Sequence, residues 1–315
     1  MNRSMTQSPS QTILRLGTRG SRLACAQAEI VRGALTAIGF TIDVVVLKTT
    51  GDKVQDRSLA DIGGKGLFTK ELEEALLNNV IDLAVHSMKD VPAVLPSELA
   101  IAAVLPREDV RDAFLSHAGC SLDGLPTGAR IGTSSVRRTA QIARARPDLD
   151  TVPLRGNVDT RLAKLDAGEF DAILLAYAGL RRLGLDHRFT SLLPIDTWLP
   201  ALSQGAIGIE TRAAEATVVQ AVAGLSDRAT EIALACERAF QLALDGSCRT
   251  PIGGLAECVR ESLRFRGEVL APDGTDFAAT QFELKLGSDP VAEATAAGRA
   301  AGMALKPRVR DWLAR

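Results

Sequence analysis

Short apolar runs alternate with helically spaced apolar positions through the first two-thirds of the chain. The runs Ile13–Gly17, Asp43–Leu47, Asp82–Val85, Arg130–Gly132, Thr151–Leu154 and Ala172–Leu175 predict strands. Between them, Leu23–Ile38, Leu67–Leu77, Val136–Arg146 and Thr160–Ala167 repeat apolar residues at helical spacing. That order predicts α/β units around mixed, largely parallel sheets. The run Ala206–Ile209 predicts one more strand, returning to the first lobe. The pattern then changes to a long helix at Ala229–Leu244, strands around Ile252–Glu257, Leu263–Leu270 and Phe277–Leu286, and a helix at Val291–Leu305. This is the order of a small α+β domain.

An internal echo predicts two similar lobes. Gly17-Thr18-Arg19-Gly20-Ser21 opens a helix carrying Ala26-Gln27, and Gly132-Thr133-Ser134-Ser135 opens one carrying Ala140-Gln141. Asp82 and Asp171 each begin an apolar strand that follows a helix. Linkers are read at Leu105–Arg111 and Pro194–Gln204. The expected domains are 12–105 with 205–224, 110–200, and 228–315.

A length of 315 residues fits two or three domains. Basic and acidic side chains nearly balance, 37 against 38, which gives no bulk attraction to nucleic acid or membrane. No run reaches the roughly 18 apolar residues of a spanning helix. Met1 to Gln11 are polar and read as a loose tail rather than a signal peptide, so a cytoplasmic location is expected. The five cysteines, Cys25, Cys120, Cys236, Cys248 and Cys258, are odd in number and lack C-x-x-C spacing. Neither a disulfide framework nor a metal site is indicated.

Three segments place arginine beside small residues at a strand-to-helix junction: Thr18–Arg22, Thr133–Arg138 and Leu154–Arg161. Helix N-termini expose backbone N–H groups and favour negative charge. Arginine adds a planar fork matched to carboxylates. Each segment alone could be an ordinary cap with solvated charges. All three together, at the strand ends where open α/β sheets bind ligands, predict a small ligand bearing several carboxylates. No phosphate-loop lysine or dinucleotide glycine pattern is present.

Asp90 follows the strand ending at Val85, within His86-Ser87-Met88-Lys89-Asp90. It can be read as a helix cap or as a carboxylate that stabilises a positive charge formed in a reaction. Lys89 would then contact substrate carboxylates, and His86 could orient its neighbours. Thr49–Gly66 is a long charged loop ending in Gly63-Gly64-Lys65-Gly66, where Lys65 could close over an anion. Cys25 and Cys236 lie in apolar helical patterns and read as packing residues. Cys248 differs, because Gly246, Ser247 and Pro251 around it predict an exposed turn, where a thiol can be a covalent attachment point.

From about Ile13 to the C-terminus the chain resembles the hydroxymethylbilane synthase, or porphobilinogen deaminase, family. The resemblance rests on Gly63–Phe68, Ala84–Pro92, Gly132–Arg138, Leu154–Arg161, Gln204-Gly205-Ala206, and the stretch from Glu237-Arg238 through Gly246-Ser247-Cys248 to Pro251-Ile252-Gly253. It implies two lobes like those of bacterial ligand-binding proteins, a cleft between them, and a third domain carrying the cofactor cysteine. The implied cofactor is a dipyrromethane held by Cys248 through a thioether. The implied reaction deaminates four porphobilinogen molecules and joins them into a linear tetrapyrrole for porphyrin and haem biosynthesis. Porphobilinogen's acetate and propionate groups would account for the arginines. Asp90 would assist ammonia loss and stabilise the azafulvene cation. Lys89, Ser135, Arg137, Arg138 and Arg155 would hold the cofactor with Cys248, and Arg19, Ser21, Lys65, Arg161 and Gln204 would position substrate. A monomer is implied, with porphobilinogen and the growing pyrrole chain as its partners.

Three positions depart from the family pattern: Arg22 where proline is common, Ser247 where glycine is common, and Tyr177 where a small residue is frequent. Tyr177 leaves open the local shape of the second lobe's cleft wall. Two other classes would share lobes and arginines, a polycarboxylate-binding solute receptor and a transcriptional effector domain. The first calls for a signal peptide and the second for a preceding helix-turn-helix. Neither needs Cys248 at the cleft.

Overall fold

The computed structural model describes residues 13–49, 68–246 and 250–313. Lys65 and Cys248 therefore lie outside the described residues, as do Ser247 and the start of the helix predicted from Leu67.

β1 (Ile13–Arg19) leads into α1 (Arg22–Ala37), and β2 (Thr41–Leu47) returns parallel to β1. α1 buries Ala24, Gln27, Ala28, Val31 and Leu35, the i, i+3/i+4 stripe that places one helix face on a sheet. After α2 (Lys70–Leu77), β3 (Leu83–Ser87) pairs with the other edge of β1, also in parallel. β4 (Leu99–Val104) completes this stretch of chain. The second unit contains β5 (Asp112–Ser116), β6 (Arg130–Gly132), α3 (Val136–Ala145), β7 (Asp150–Val152) and α4 (Val158–Asp166). It ends with β8 (Ala172–Ala176), α5 (Tyr177–Arg182) and β9 (Ser191–Leu192). The chain then crosses back as β10 (Ile207–Arg212) and α6 (Ala216–Ala223).

Two five-stranded sheets result, ordered β2-β1-β3-β10-β4 and β7-β6-β8-β5-β9. In each, the fourth strand runs antiparallel to both neighbours while the other pairings are parallel. In each, that antiparallel strand is the first one after a crossing from the other sheet. The repeat reaches side chains: Asp82 Oδ2 accepts from the backbone N–H of Arg15 at 2.9 Å, and Asp171 Oδ2 accepts from that of Arg130 at 2.7 Å. The two acids noted in the sequence thus brace equivalent strand starts.

The last unit is an antiparallel sheet β11-β12-β13 (Ile252–Val259, Ser262–Leu270, Phe277–Lys285) covered by α7 (Arg228–Ala243) and α8 (Pro290–Leu313). It docks where the two crossings meet. Arg107 forks to Glu237 at 2.7 and 3.1 Å and donates through Nε to the Gln204 carbonyl at 2.8 Å. Glu237 also accepts from the backbone N–H groups of Ser203 and Ala256. The crossings touch so closely that a Cβ on Gly205, whose φ is +90°, would lie 2.4 Å from the Glu108 carbonyl oxygen. Only glycine fits that approach. Among the described residues, no helix is long and apolar enough to cross a membrane.

Candidate active site

Each of the three arginine-bearing segments begins a helix with a side-chain cap. Ser21 accepts from the Ala24 N–H, Ser135 from the Arg138 N–H, and Asn157 from the Thr160 N–H. The caps settle the N-termini of α1, α3 and α4 at the carboxyl ends of β1, β6 and β7. Ordinary capping is therefore present at all three. The segments converge on one cleft of about 620 Å³, within the range of small-molecule sites.

From the first sheet come Arg19, Ser21, Lys89 and Asp90; from the second, Ser135, Arg137, Arg138, Arg155 and Arg161; and from the crossing, Gln204. Every sequence-predicted site residue among those described thus lines this cleft. Lys48 also lines it, and Asp90 is the single acid among the described lining residues. Leu175, Leu202 and Ile252 supply apolar wall. Seven basic side chains against one acid make the cleft a trap for polyanions.

The basic groups differ in what they have left to offer. Arg19 stacks on Phe68, with its guanidinium carbon 4.2 Å from the ring centroid. Arg161 donates through Nε to the Gly156 carbonyl at 2.8 Å. Burial, with Arg138 and Arg155 nearby, lowers its pKa to about 10. Burial also pulls the Lys89 ammonium down to about 8, with the Asp90 charge opposing and Arg138 assisting. Lys89 Nζ reaches Gln204 Oε1 at 3.4 Å. The Gln204 amide nitrogen is engaged by the Val110 carbonyl and Asp112, so this residue is a junction as well as cleft wall.

Several expectations change in detail. Asp90 ends a 3-10 turn, Met88–Asp90, after which Val91 is extended, so Asp90 caps no following helix. His86 pairs with Glu210 of β10 at 2.9 Å in the sheet interior, which makes it a bracing residue. Tyr177 packs edge-on against Phe189, with centroids 5.2 Å apart, and is not among the cleft-lining residues. Cys236 is buried and its thiol is pushed up by that burial, whereas Cys25 is only half-buried.

Sequence reasoning missed Asp112 and Arg182. Asp112 stands directly behind Arg137 and Arg138, with Nη2···O distances of 2.8 and 2.6 Å. The acid-before-apolar-strand pattern that marked Asp82 and Asp171 also marks Asp112 before Ala113-Phe114-Leu115. Arg182 donates to the Gly205 carbonyl and ties α5 to the crossing.

Two family models match the chain: the porphobilinogen deaminase dipyrromethane cofactor binding domain over residues 14–220, and the porphobilinogen deaminase C-terminal domain over residues 232–306. A porphobilinogen deaminase of Paracoccus denitrificans is 52% identical over 282 residues, covering 88% of this chain and 90% of its own. One of Nitrobacter hamburgensis is 50% identical over 300 residues, covering 94% and 93%.

Proposed function

The chain belongs to the porphobilinogen deaminase family, and we propose that it is a transferase that deaminates four porphobilinogen molecules and joins them head-to-tail into hydroxymethylbilane, with its dipyrromethane cofactor attached to Cys248 through a thioether. It acts as a monomer in the cytoplasm, with the three sheets as three domains: 12–105 with 205–224, 110–200, and 228–315. The observation that carries this reading is the single cleft where basic groups from both large sheets surround one carboxylate, Asp90.

The residues present suit a dipyrromethane bearing carboxylates. Arg137 Nε is buried without a hydrogen-bond partner among the described residues, a donor that a ligand carboxylate would satisfy. Thr250, two residues along the chain from Cys248, lines the same cleft. Lys89, Ser135, Arg137, Arg138 and Arg155 hold the cofactor's carboxylates. When bound, the dipyrromethane supplies the pyrrole carbon to which the first ring is joined. Arg19, Ser21, Lys65, Arg161 and Gln204 position the incoming substrate. Asp90 accepts a hydrogen bond from the pyrrole N–H, stabilises the positive charge left by ammonia loss, and can hold the proton released when aromaticity returns.

Intact-protein mass spectrometry tests the attachment. Wild-type protein should exceed its sequence mass by two porphobilinogen-derived pyrrole units, and Cys248→Ser should lack that increment. Unmodified wild-type protein that still makes tetrapyrrole would remove Cys248 from the reading.

A further inference from the structure

Asp112 opens β5 immediately beyond the first crossing, and its side chain is wholly enclosed. Arg137 Nη2 donates to Oδ2 at 2.8 Å, Trp198 Nε1 at 3.0 Å and Arg138 Nε at 3.1 Å. Arg138 Nη2 donates to Oδ1 at 2.6 Å and Gln204 Nε2 at 2.8 Å. An ionised carboxylate offers about four lone-pair sites, so these donors saturate it. Burial alone would push this carboxyl up, but Arg137 and Arg138 override it and hold it well below the usual carboxylate range. Asp112 therefore carries a permanent charge and has no capacity left for a ligand or a proton in transit.

What it does control is which guanidinium edges remain. Asp112 closes the Nε/Nη2 edge of Arg138, whose Nη1 is tied to the Leu174 carbonyl at 2.8 Å. Arg137 gives Nη2 to Asp112 and Nη1 to Gln141 and the Leu199 carbonyl, which leaves Nε without a partner among the described residues. A guanidinium is planar with donors in fixed directions, so fixing some edges aims the others. The same carboxylate reaches Gln204, and through it Lys89 on the opposite wall. Stability alone gives little reason for such a centre, since buried ion pairs are often no better than apolar packing.

We propose that Asp112 is a positioning residue for carboxylate recognition: it presets Arg137 and Arg138 and fixes their register against the Gln204–Lys89 side of the cleft. This rests on the reading of the cleft as the site of the pyrrole chain. The test uses full-length Asp112→Asn, which keeps shape but loses charge, and Asp112→Glu, which keeps charge but shifts it by one methylene. Three readouts are taken: the fraction of protein carrying the two-pyrrole increment, the separate KM and kcat for porphobilinogen, and thermal unfolding. Asp112→Asn should load incompletely, and its KM should rise roughly tenfold or more while unfolding stays cooperative. Asp112→Glu should recover much of the loading with a smaller rise in KM. A merely structural role predicts lower yield or melting temperature, but full loading and wild-type KM in whatever protein is folded, and that result overturns the proposal. Should Asp112→Asn fail to fold, Asp112→Glu decides, and wild-type loading and KM in that variant would refute positioning. Wild-type protein without increment or turnover would instead overturn the underlying reading of the cleft.

Discussion

Asp90 and Lys89 are adjacent residues of one short turn, and the proposed function gives them opposite tasks. Asp90→Asn keeps size and hydrogen bonding but removes the charge that offsets a cationic ring. Because Asp90 caps no helix, the substitution should leave the melting temperature close to wild type while porphobilinogen turnover falls roughly 10²–10⁴-fold. Wild-type turnover would exclude it from the chemistry. Lys89 must be protonated to hold a carboxylate, and its pKa of about 8 makes it neutral above that pH. For protein not yet carrying the cofactor, cofactor loading should therefore slow as pH rises through about 8, and Lys89→Arg should move that limb to higher pH. Stability should change in the other direction. Between about 8 and the ordinary value of 10.5, the unfolded chain binds the Lys89 proton and the folded chain does not, so this residue's contribution rises with pH. Unfolding followed across the same range thus separates lost binding from lost structure. The shared cleft of the arginines was legible in the sequence because residue type and helix-start position already mark a candidate anion site. Asp112 shows in the sequence only as an acid before an apolar run; its partnerships do not, since Arg137, Trp198 and Gln204 lie 25, 86 and 92 residues away.

Among the elements, those with strong periodicity or a continuous apolar run could be read directly. α1, α3, α7 and β11 to β13 fall within a few residues of their predicted bounds. β4 was hidden behind the proline-rich stretch before it, β5 by its position against the linker, and β9 by its length of two residues. No local pattern distinguishes such strands, because neighbours in the sheet define them. The crossings behave similarly. Proline and charge mark them as linkers, yet their function as the docking point of the C-terminal unit depends on Glu237, which is 130 residues from Arg107. Glu237 is fully enclosed and accepts from that guanidinium and two backbone N–H groups. Glu237→Ala should lose roughly 3–5 kcal/mol of unfolding free energy, since it strands a largely buried cation. Arg264→Ala, which breaks the exposed pair with Glu283, should change stability by less than about 1 kcal/mol. Denaturant unfolding of the two variants compares them directly, and equal losses would mean that the junction is no tighter than the surface.

At the scale of the molecule, the two large sheets are joined by two crossings, and the first helix also meets the second unit directly. Arg22, the first residue of α1, pairs with Asp159 in the first turn of α4 at 2.7 Å and reaches the Leu183 carbonyl at 3.3 Å. Asp159 is well placed there, because a helix N-terminus favours negative charge. Both side chains are substantially exposed, so the pair contributes no more than about 1 kcal/mol. Even so, 1 kcal/mol shifts a closed-to-open ratio by about fivefold. Proline at this position cannot make the contact, yet it is well tolerated as the first helical residue. Arg22→Pro is therefore a clean probe: α1 should persist, and stability should stay within about 1 kcal/mol of wild type. Small-angle X-ray scattering should give a larger radius of gyration for Arg22→Pro than for wild type at low salt. At 1 M salt, where the screening length is about 3 Å, the wild-type value should rise to meet it, while the variant stays constant. Identical radii at low salt would mean that the Arg22–Asp159 pair follows closure without favouring it.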